Sequence, residues 1–237
     1  MGLYSGGFKS QLKGKKILEL GCGDCTNVAI MAALGAEVYG NDISQVSGEI
    51  ISEINSRHKF DHHIQFVAGD FLSAVLEDNF FDIILGKAFV HHLTHEQELE
   101  FTKRISKYLK PSGLVRYFEP AVNSRLLDTI RWMIPVPGRP SKFQASKFAV
   151  WKENDPHPER DNSSDHYRDI GEKYFNEITI QPLGSLERFC RFIPFGLKRP
   201  LRRIAFKLEK CLPHSLNMFL ARSQVVEYRF PRTTNER

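Results

Sequence analysis

Ile17-Leu18-Glu19-Leu20-Gly21-Cys22-Gly23-Asp24-Cys25 is the stretch whose reading decides the fold. Lys15 and Lys16 precede its short apolar run, and Thr26 to Leu34 follows with Ala, Ile, Met and Leu at helix-compatible spacing, so the segment reads as strand, turn, helix. Gly21 and Gly23 let the backbone approach a ligand at distances where a Cβ would collide. Together with Glu19, two residues before the first glycine, they make a nucleotide-binding turn between a buried strand and a helix.

Working outward, Ala36-Glu37-Val38-Tyr39-Gly40-Asn41-Asp42-Ile43 reads as a second strand ending in a carboxylate, where a doubly wound fold hydrogen-bonds ribose hydroxyls. A third strand, Ile64 to Ala68, closes on Gly69-Asp70-Phe71; Phe80 to Gly86 reads as a fourth; and Leu109-Lys110-Pro111-Ser112-Gly113 leads into a fifth, Leu114 to Phe118, ended by Glu119-Pro120. Gln45 to Arg57 and His95 to Leu109 carry apolar residues on one face, as crossover helices do, and Thr94 is the expected N-cap of the second.

A dinucleotide turn would read Gly-x-Gly-x-x-Gly, but the third glycine is absent here. The Glu-x-Gly-x-Gly form resembles motif I of the class I S-adenosylmethionine-dependent methyltransferases, and the later strand ends match that family in order, up to Glu119. The resemblance implies an α/β fold: a Rossmann-like doubly wound seven-stranded sheet in the order 3-2-1-4-5-7-6, with an insertion after strand five. It implies S-adenosylmethionine as cofactor, held by Glu19, Gly21, Cys22 and Gly23 at the first turn, and by Asp42 and Ile43 at the ribose. Gly69, Asp70 and Phe71 are expected around the adenine, with Phe71 over its face, and Gly86 and Lys87 at the tip of strand four.

The chain has 237 residues and 41% hydrophobic content, enough for one α/β domain with a substantial core. A single domain over 1–237 is expected, with an N-terminal extension at 1–14 and an insertion at 135–169. No apolar run approaches a membrane span and no signal-peptide segment opens the chain, so a cytoplasmic location is expected. Cys22, Cys25, Cys190 and Cys211 form no disulfide framework, and Cys22-x-x-Cys25 lacks a second pair at zinc-knuckle distance. His58, His62 and His63 fall in a polar connection and read as solvated. No metal site is expected.

Beyond Glu119 an arginine-bearing apolar helix, Arg125 to Ile134, is followed by the breakers Pro135, Pro137, Gly138 and Pro140, and then by the polar insertion, a candidate lid over the strand ends. Ile178-Thr179-Ile180 and Gln224 to Phe230 read as the last two strands. Between them Phe195 to Lys210 is basic and amphipathic, and contributes to a net charge of +5. It fits an anionic membrane surface, a nucleic-acid contact, or an ordinary crossover helix.

Methyl transfer is an in-line displacement, in which the protein chiefly aligns acceptor and methyl group and takes a proton where the acceptor carries one. Gly86-Lys87-Ala88-Phe89-Val90-His91-His92-Leu93 resembles the histidine segment of small-molecule methyltransferases related to the quinone-biosynthesis enzymes. It lacks an Asn-Pro-Pro-Tyr clamp for planar nitrogens. His91 and His92 are the foremost base candidates, with Glu119, His157, His166 and Tyr167 expected around the acceptor. The expected reaction is methylation of a small or lipophilic molecule, at oxygen in preference to nitrogen or carbon. An RNA methyltransferase and a non-catalytic nucleotide-binding module of the same fold are the alternatives.

Overall fold

A computed structural model of the chain describes residues 2–136, 138–155, 157–192 and 195–232; at 191–192 and 195–199 it describes the backbone alone. The elements run β1 (Lys16–Leu20), α1 (Thr26–Ala33), β2 (Glu37–Asp42), α2 (Gln45–Arg57), β3 (Gln65–Ala68), β4 (Phe81–Lys87), α3 (His95–Tyr108) and β5 (Leu109–Pro120). Then come α4 (Arg125–Met133), α5 (Ala145–Glu153), α6 (Ser164–Glu172), β6 (Phe175–Leu183), α7 (Phe195–Leu208), α8 (His214–Leu220) and β7 (Ser223–Pro231). They build one seven-stranded sheet in the order β3-β2-β1-β4-β5-β7-β6, as the motif order implies. The first five strands are parallel, and β7 is antiparallel to both β5 and β6. All five parallel strands therefore deliver their carboxyl ends to one edge, where ligands of open α/β sheets bind.

Strand alternation divides the apolar side chains between two faces. Ile17, Val38, Ile83 and Leu85 pack with Val28 and Met31 of α1 and Ile51 of α2. Leu18, Leu20, Ile84 and Val115 pack with Phe101 and Ile105 of α3 and Tyr167 of α6. Each of these fully buried aliphatic side chains contributes about 1.5–3 kcal/mol relative to exposure. Thr94 caps α3 in a reciprocal box with Gln97, as its position before an apolar-periodic run suggests. α6 lies close on the sheet because Gly171 has no Cβ; one there would meet Tyr228 at 2.5 Å.

The N-terminal segment is docked against the sheet. Leu3, Phe8 and Leu12 are buried, and the Arg116 guanidinium donates to the carbonyls of Leu3 and Ser5 while pairing with Glu227. The 135–169 segment is more ordered than a run of breakers suggests. It holds α5, and its last residues open α6, whose Tyr167 and Ile170 belong to the core. α7 is a lateral helix: Ile204 and Leu208 remain half exposed, and Arg202 pairs with Glu187 at 2.7 Å. The Lys198 and Arg199 side chains lie outside the described residues. No helix among the described residues is long and apolar enough to cross a membrane.

Candidate active site

The first turn is shaped by left-handed backbone. Gly21, Gly23 and Cys25 have φ of 63°, 51° and 58°, and a Cβ on Gly21 would meet the Phe89 ring at 2.4 Å. Asp42 ties this turn to the tip of β2, accepting from the Gly23 amide with Oδ2 (2.8 Å) and from the Ser44 amide with Oδ1 (2.9 Å). Asn41 behind it donates to the carbonyls of Val67 and Gly69, fixing β2 and β3 ends to one another. Ile43 stands beside Asp42 four-fifths exposed, an apolar surface open to a flat ligand. Asp70 keeps one oxygen on the Leu72 amide. Gly69 turns the chain at φ 89°, while Gly86 lies against Tyr117 and Phe89 at the end of β4.

Glu19 is the electrostatic oddity of the turn. It is buried; Oε1 accepts from Asn27 at 3.0 Å, and Oε2 has no partner among the described residues. Burial pushes its carboxyl from 4.5 up to about 8, with the Asn27 hydrogen bond and the Lys87 charge pulling the other way. A buried acid with an orphaned oxygen beside a glycine turn suits a ligand that brings a cation. The ammonium of a methionine moiety is such a group, so the residues present fit S-adenosylmethionine. Asn27 also accepts from Tyr4 at 3.4 Å, joining the N-terminal segment to the turn.

Two sequence expectations are corrected here. Phe71 does not offer its face to an adenine: it is 1% exposed and packs on Phe101 and Tyr108, because the short turn it opens after Asp70 rolls it into the core. Cys22 contributes backbone, not side chain, to the turn. Its thiol is buried 3.7 Å from that of Cys25 within the α1–α2 core, where burial raises it.

At the carboxyl ends of β4 and β5, Glu119 is the organising group. Its buried carboxylate accepts from the Phe89 and Val90 amides, both at 2.9 Å, and meets His91 Nδ1 at 2.7 Å. With Nδ1 directed at a carboxylate, His91 presents Nε2 outward, the tautomer a base requires. His157, from the insertion, stacks on both His91 and His92, with ring centroids 5.1 and 4.4 Å apart, and its own Nδ1 lies 2.5 Å from Asp155. Burial and the neighbouring histidines lower His92 below the usual histidine value, favouring neutral imidazole. The ligating atoms of the three rings fall within 4.8 Å of one another. His157 is stacked on both other rings, while the His91 and His92 rings are tilted by 37°.

His166 and Tyr167 sit elsewhere, which corrects their assignment to the acceptor pocket. His166 Nε2 is 2.7 Å from Glu98, which also takes Arg160 at 2.6 Å. Tyr167 is fully buried, its phenol raised well above 10 by burial. α6 turns both inward. Sequence reasoning passed over Arg160, which donates to the carbonyls of Val90 and Leu93 and so fastens the insertion to the histidine loop. It also passed over Phe89, whose ring lies over Gly21. Arg160 carried no signal beyond its place in the insertion, and Phe89 was visible only as an aromatic beside His91.

Sheet order, glycine turn and acidic strand end define a nucleotide-binding α/β fold of the methyltransferase type. The family profile described as "Methyltransferase domain" matches residues 17–113. The cypemycin N-terminal methyltransferase of a Streptomyces species is 30% identical over 104 residues, 43% of this chain and 40% of that protein. The phosphoethanolamine N-methyltransferase of Plasmodium falciparum is 31% identical over 101 residues, 41% of this chain and 36% of that protein. The chain thus aligns with about two fifths of the length of these curated relatives. A SAM-dependent methyltransferase from Archaeoglobus fulgidus superposes with a TM-score of 0.57 over 94% of this chain and 92% of its own, at 16% identity, a likeness of fold. Residues 17–113 thus match a methyltransferase domain, and the sheet shares the fold of S-adenosylmethionine-dependent methyltransferases.

Proposed function

We propose that the protein transfers a methyl group from S-adenosylmethionine to the oxygen of a small, lipophilic acceptor, with His91 as the proton-accepting base and Glu119 as its positioning partner. The cofactor, when bound, supplies an electrophilic methyl group. Glu19, the Gly21 to Gly23 turn and Asp42 would hold it, and Asp70 and Ile43 would border its base. Glu119, anchored by two amides, fixes His91 in orientation and stabilises the imidazolium formed as an acceptor hydroxyl gives up its proton. His92 and His157 wall the space in front of that proton. The His91–Glu119 contact carries this reading. The relatives named above are N-methyltransferases by name, and an amine acceptor that must lose a proton is served by the same pair.

Half-exposed Ile204, Leu208 and Phe219 beside Arg203 and Lys210 support a peripheral contact of α7 and α8 with anionic membrane, from which such an acceptor would be drawn. An RNA contact is less well supported, since Arg202 and Arg222 are both engaged by Glu187.

The test is product analysis with a panel of hydroxylated and amino acceptors, paired with the pH profile of kcat for wild type and His91→Ala. A loss of about 10²–10⁴-fold with a flattened acidic limb supports the base. A change confined to KM assigns His91 to positioning alone, and methylation only of amines overturns the oxygen assignment.

A further inference from the structure

One residue past Glu119 the chain leaves the sheet and begins the wall of a second space. A cavity of about 700 Å³ opens between α4, the loop Ile134 to Arg139, the 3-10 turn Glu187–Phe192 and α8, within the size range of small-molecule sites. Four arginines line it, Arg131, Arg139, Arg188 and Arg222, against a single carboxylate, Asp128. Two of them are neutralised: Arg131 lies 3.4 Å from Asp128, and Arg222 lies 2.9 Å from Glu187.

Arg139 and Arg188 have no carboxylate partner among the described residues. Arg139 is buried; its Nη2 donates to the carbonyls of Arg131 and Ile134, its guanidinium lies 4.6 Å from the Trp132 ring, and its Nε has no partner. Among the described residues Arg188 donates only to the Leu220 carbonyl. Burial, with the positive charge of Arg131 second, lowers both guanidinium groups from their usual value, so each is held at a cost that an anion would remove. Beside the polar Asn123, Ser124 and Ser223, the wall carries an apolar stretch of Leu127, Ile130, Ile134, Phe189 and Phe219, of which Ile130, Phe189 and Phe219 are more than two-fifths exposed.

Unpaired guanidinium groups beside an apolar wall match a molecule that is itself divided. We infer that this cavity binds an anionic amphiphile, its phosphate or carboxylate on Arg139 and Arg188 and its hydrocarbon body along α4, Phe189 and Phe219. Guanidinium groups suit either oxyanion through paired N–H donors, and the apolar wall selects against the free anion. Pro120, which lines the cavity, directly follows Glu119 in the chain, so the occupant is assigned as the acceptor of the proposed reaction. This last assignment rests on the methyl-transfer reading; the site itself does not, and its binding is measured without cofactor.

Trp132, stacked against the Arg139 guanidinium behind the wall, provides the signal. The full-length protein is titrated with decyl phosphate, decanoate, decanol and inorganic phosphate, all below micelle concentrations, by tryptophan fluorescence and by calorimetry. Decyl phosphate and decanoate are expected to bind at least about tenfold more tightly than decanol or inorganic phosphate. Arg188→Gln and Arg139→Gln are each expected to weaken decyl phosphate by about tenfold and leave decanol unchanged. Arg188 makes a single backbone hydrogen bond, so its variant tests the site even where Arg139→Gln disturbs the loop. Decanol binding as tightly as decyl phosphate, inorganic phosphate binding as tightly as either amphiphile, or an Arg188→Gln variant indistinguishable from wild type would each overturn the inference.

Discussion

Replacing Glu19 by Gln isolates the buried charge at the cofactor turn. Glutamine is isosteric, keeps an oxygen for Asn27, and mimics the protonated acid at every pH. In wild type the carboxyl titrates near 8 in the folded chain and near 4.5 when exposed. Below 4.5 both states hold the proton and burial costs nothing. From 4.5 to 8 the unfolded chain releases a proton that the folded chain retains, so this group's contribution to stability is lost steadily as pH rises, and the loss levels off above 8. At about 1.4 kcal/mol per pH unit the full excursion amounts to about 5 kcal/mol, the upper bound for a group sealed in the core. Glu19→Gln has no such term. Urea unfolding without cofactor should give the two proteins nearly equal stability at pH 4.5 and an advantage to the variant that widens toward pH 8. The cofactor reverses the ranking, because an ammonium selects the ionised acid. Wild-type affinity should climb with pH toward 8, while the variant binds about 10- to 100-fold more weakly with a flat profile over that range. A stability gap between the two proteins that stays constant within about 1 kcal/mol from pH 4.5 to 8 would refute the reasoning.

Further outcomes follow from other contacts. Asp42→Ala should cost about 1–3 kcal/mol of cofactor affinity by calorimetry, since it removes the proposed ribose partner and frees the Gly23 and Ser44 amides; unchanged affinity would falsify the assignment. Gly21→Val places a branched side chain at positive φ against Phe89, so cofactor binding should disappear, and the thermal midpoint should also fall; a variant that still binds argues against the turn. Arg160→Gln strands the buried Glu98 charge and should destabilise the fold by about 3–5 kcal/mol in urea. The double variant with Glu98→Gln should recover part of that loss, and no recovery would mean that the Val90 and Leu93 carbonyls carry the effect.

What was legible in the sequence was whatever a local rule governs. Strand ends, glycine turns and the Thr94 cap depend on residues within a few positions of one another, and each stands where the motifs put it. Asp42 stands at the tip of β2, where a carboxylate ending a second strand was expected, and holds the Gly23 and Ser44 amides. Phe71 could not be placed, because whether it faces ligand or core depends on a single turn after Asp70 and on Phe101 and Tyr108, far along the chain. His157 and His166 looked alike in sequence. One is carried by a loop onto His91 and the other by a helix onto Glu98, and only the long-range contacts of Arg160 and Tyr167 separate them. The arginine cavity was invisible for the same reason: its four guanidinium groups come from segments up to 91 positions apart, Arg131 to Arg222.

Arg160 divides the inserted segment into parts with different freedom to diverge. On its C-terminal side, a change at Ser164, Tyr167 or Ile170 is felt by the sheet core and by the His91 loop together, since one guanidinium holds that loop and the α6 region in register. On its N-terminal side α5 buries none of its residues fully, and its packing rests on the contacts of Phe148 and Trp151 with Trp132 of α4. A lineage can therefore exchange much of the stretch from Lys142 to Glu153, and with it the proposed approach to the acceptor, while keeping the sheet. Diversification of acceptors by grafting is open to this fold where stepwise substitution in α6 is not.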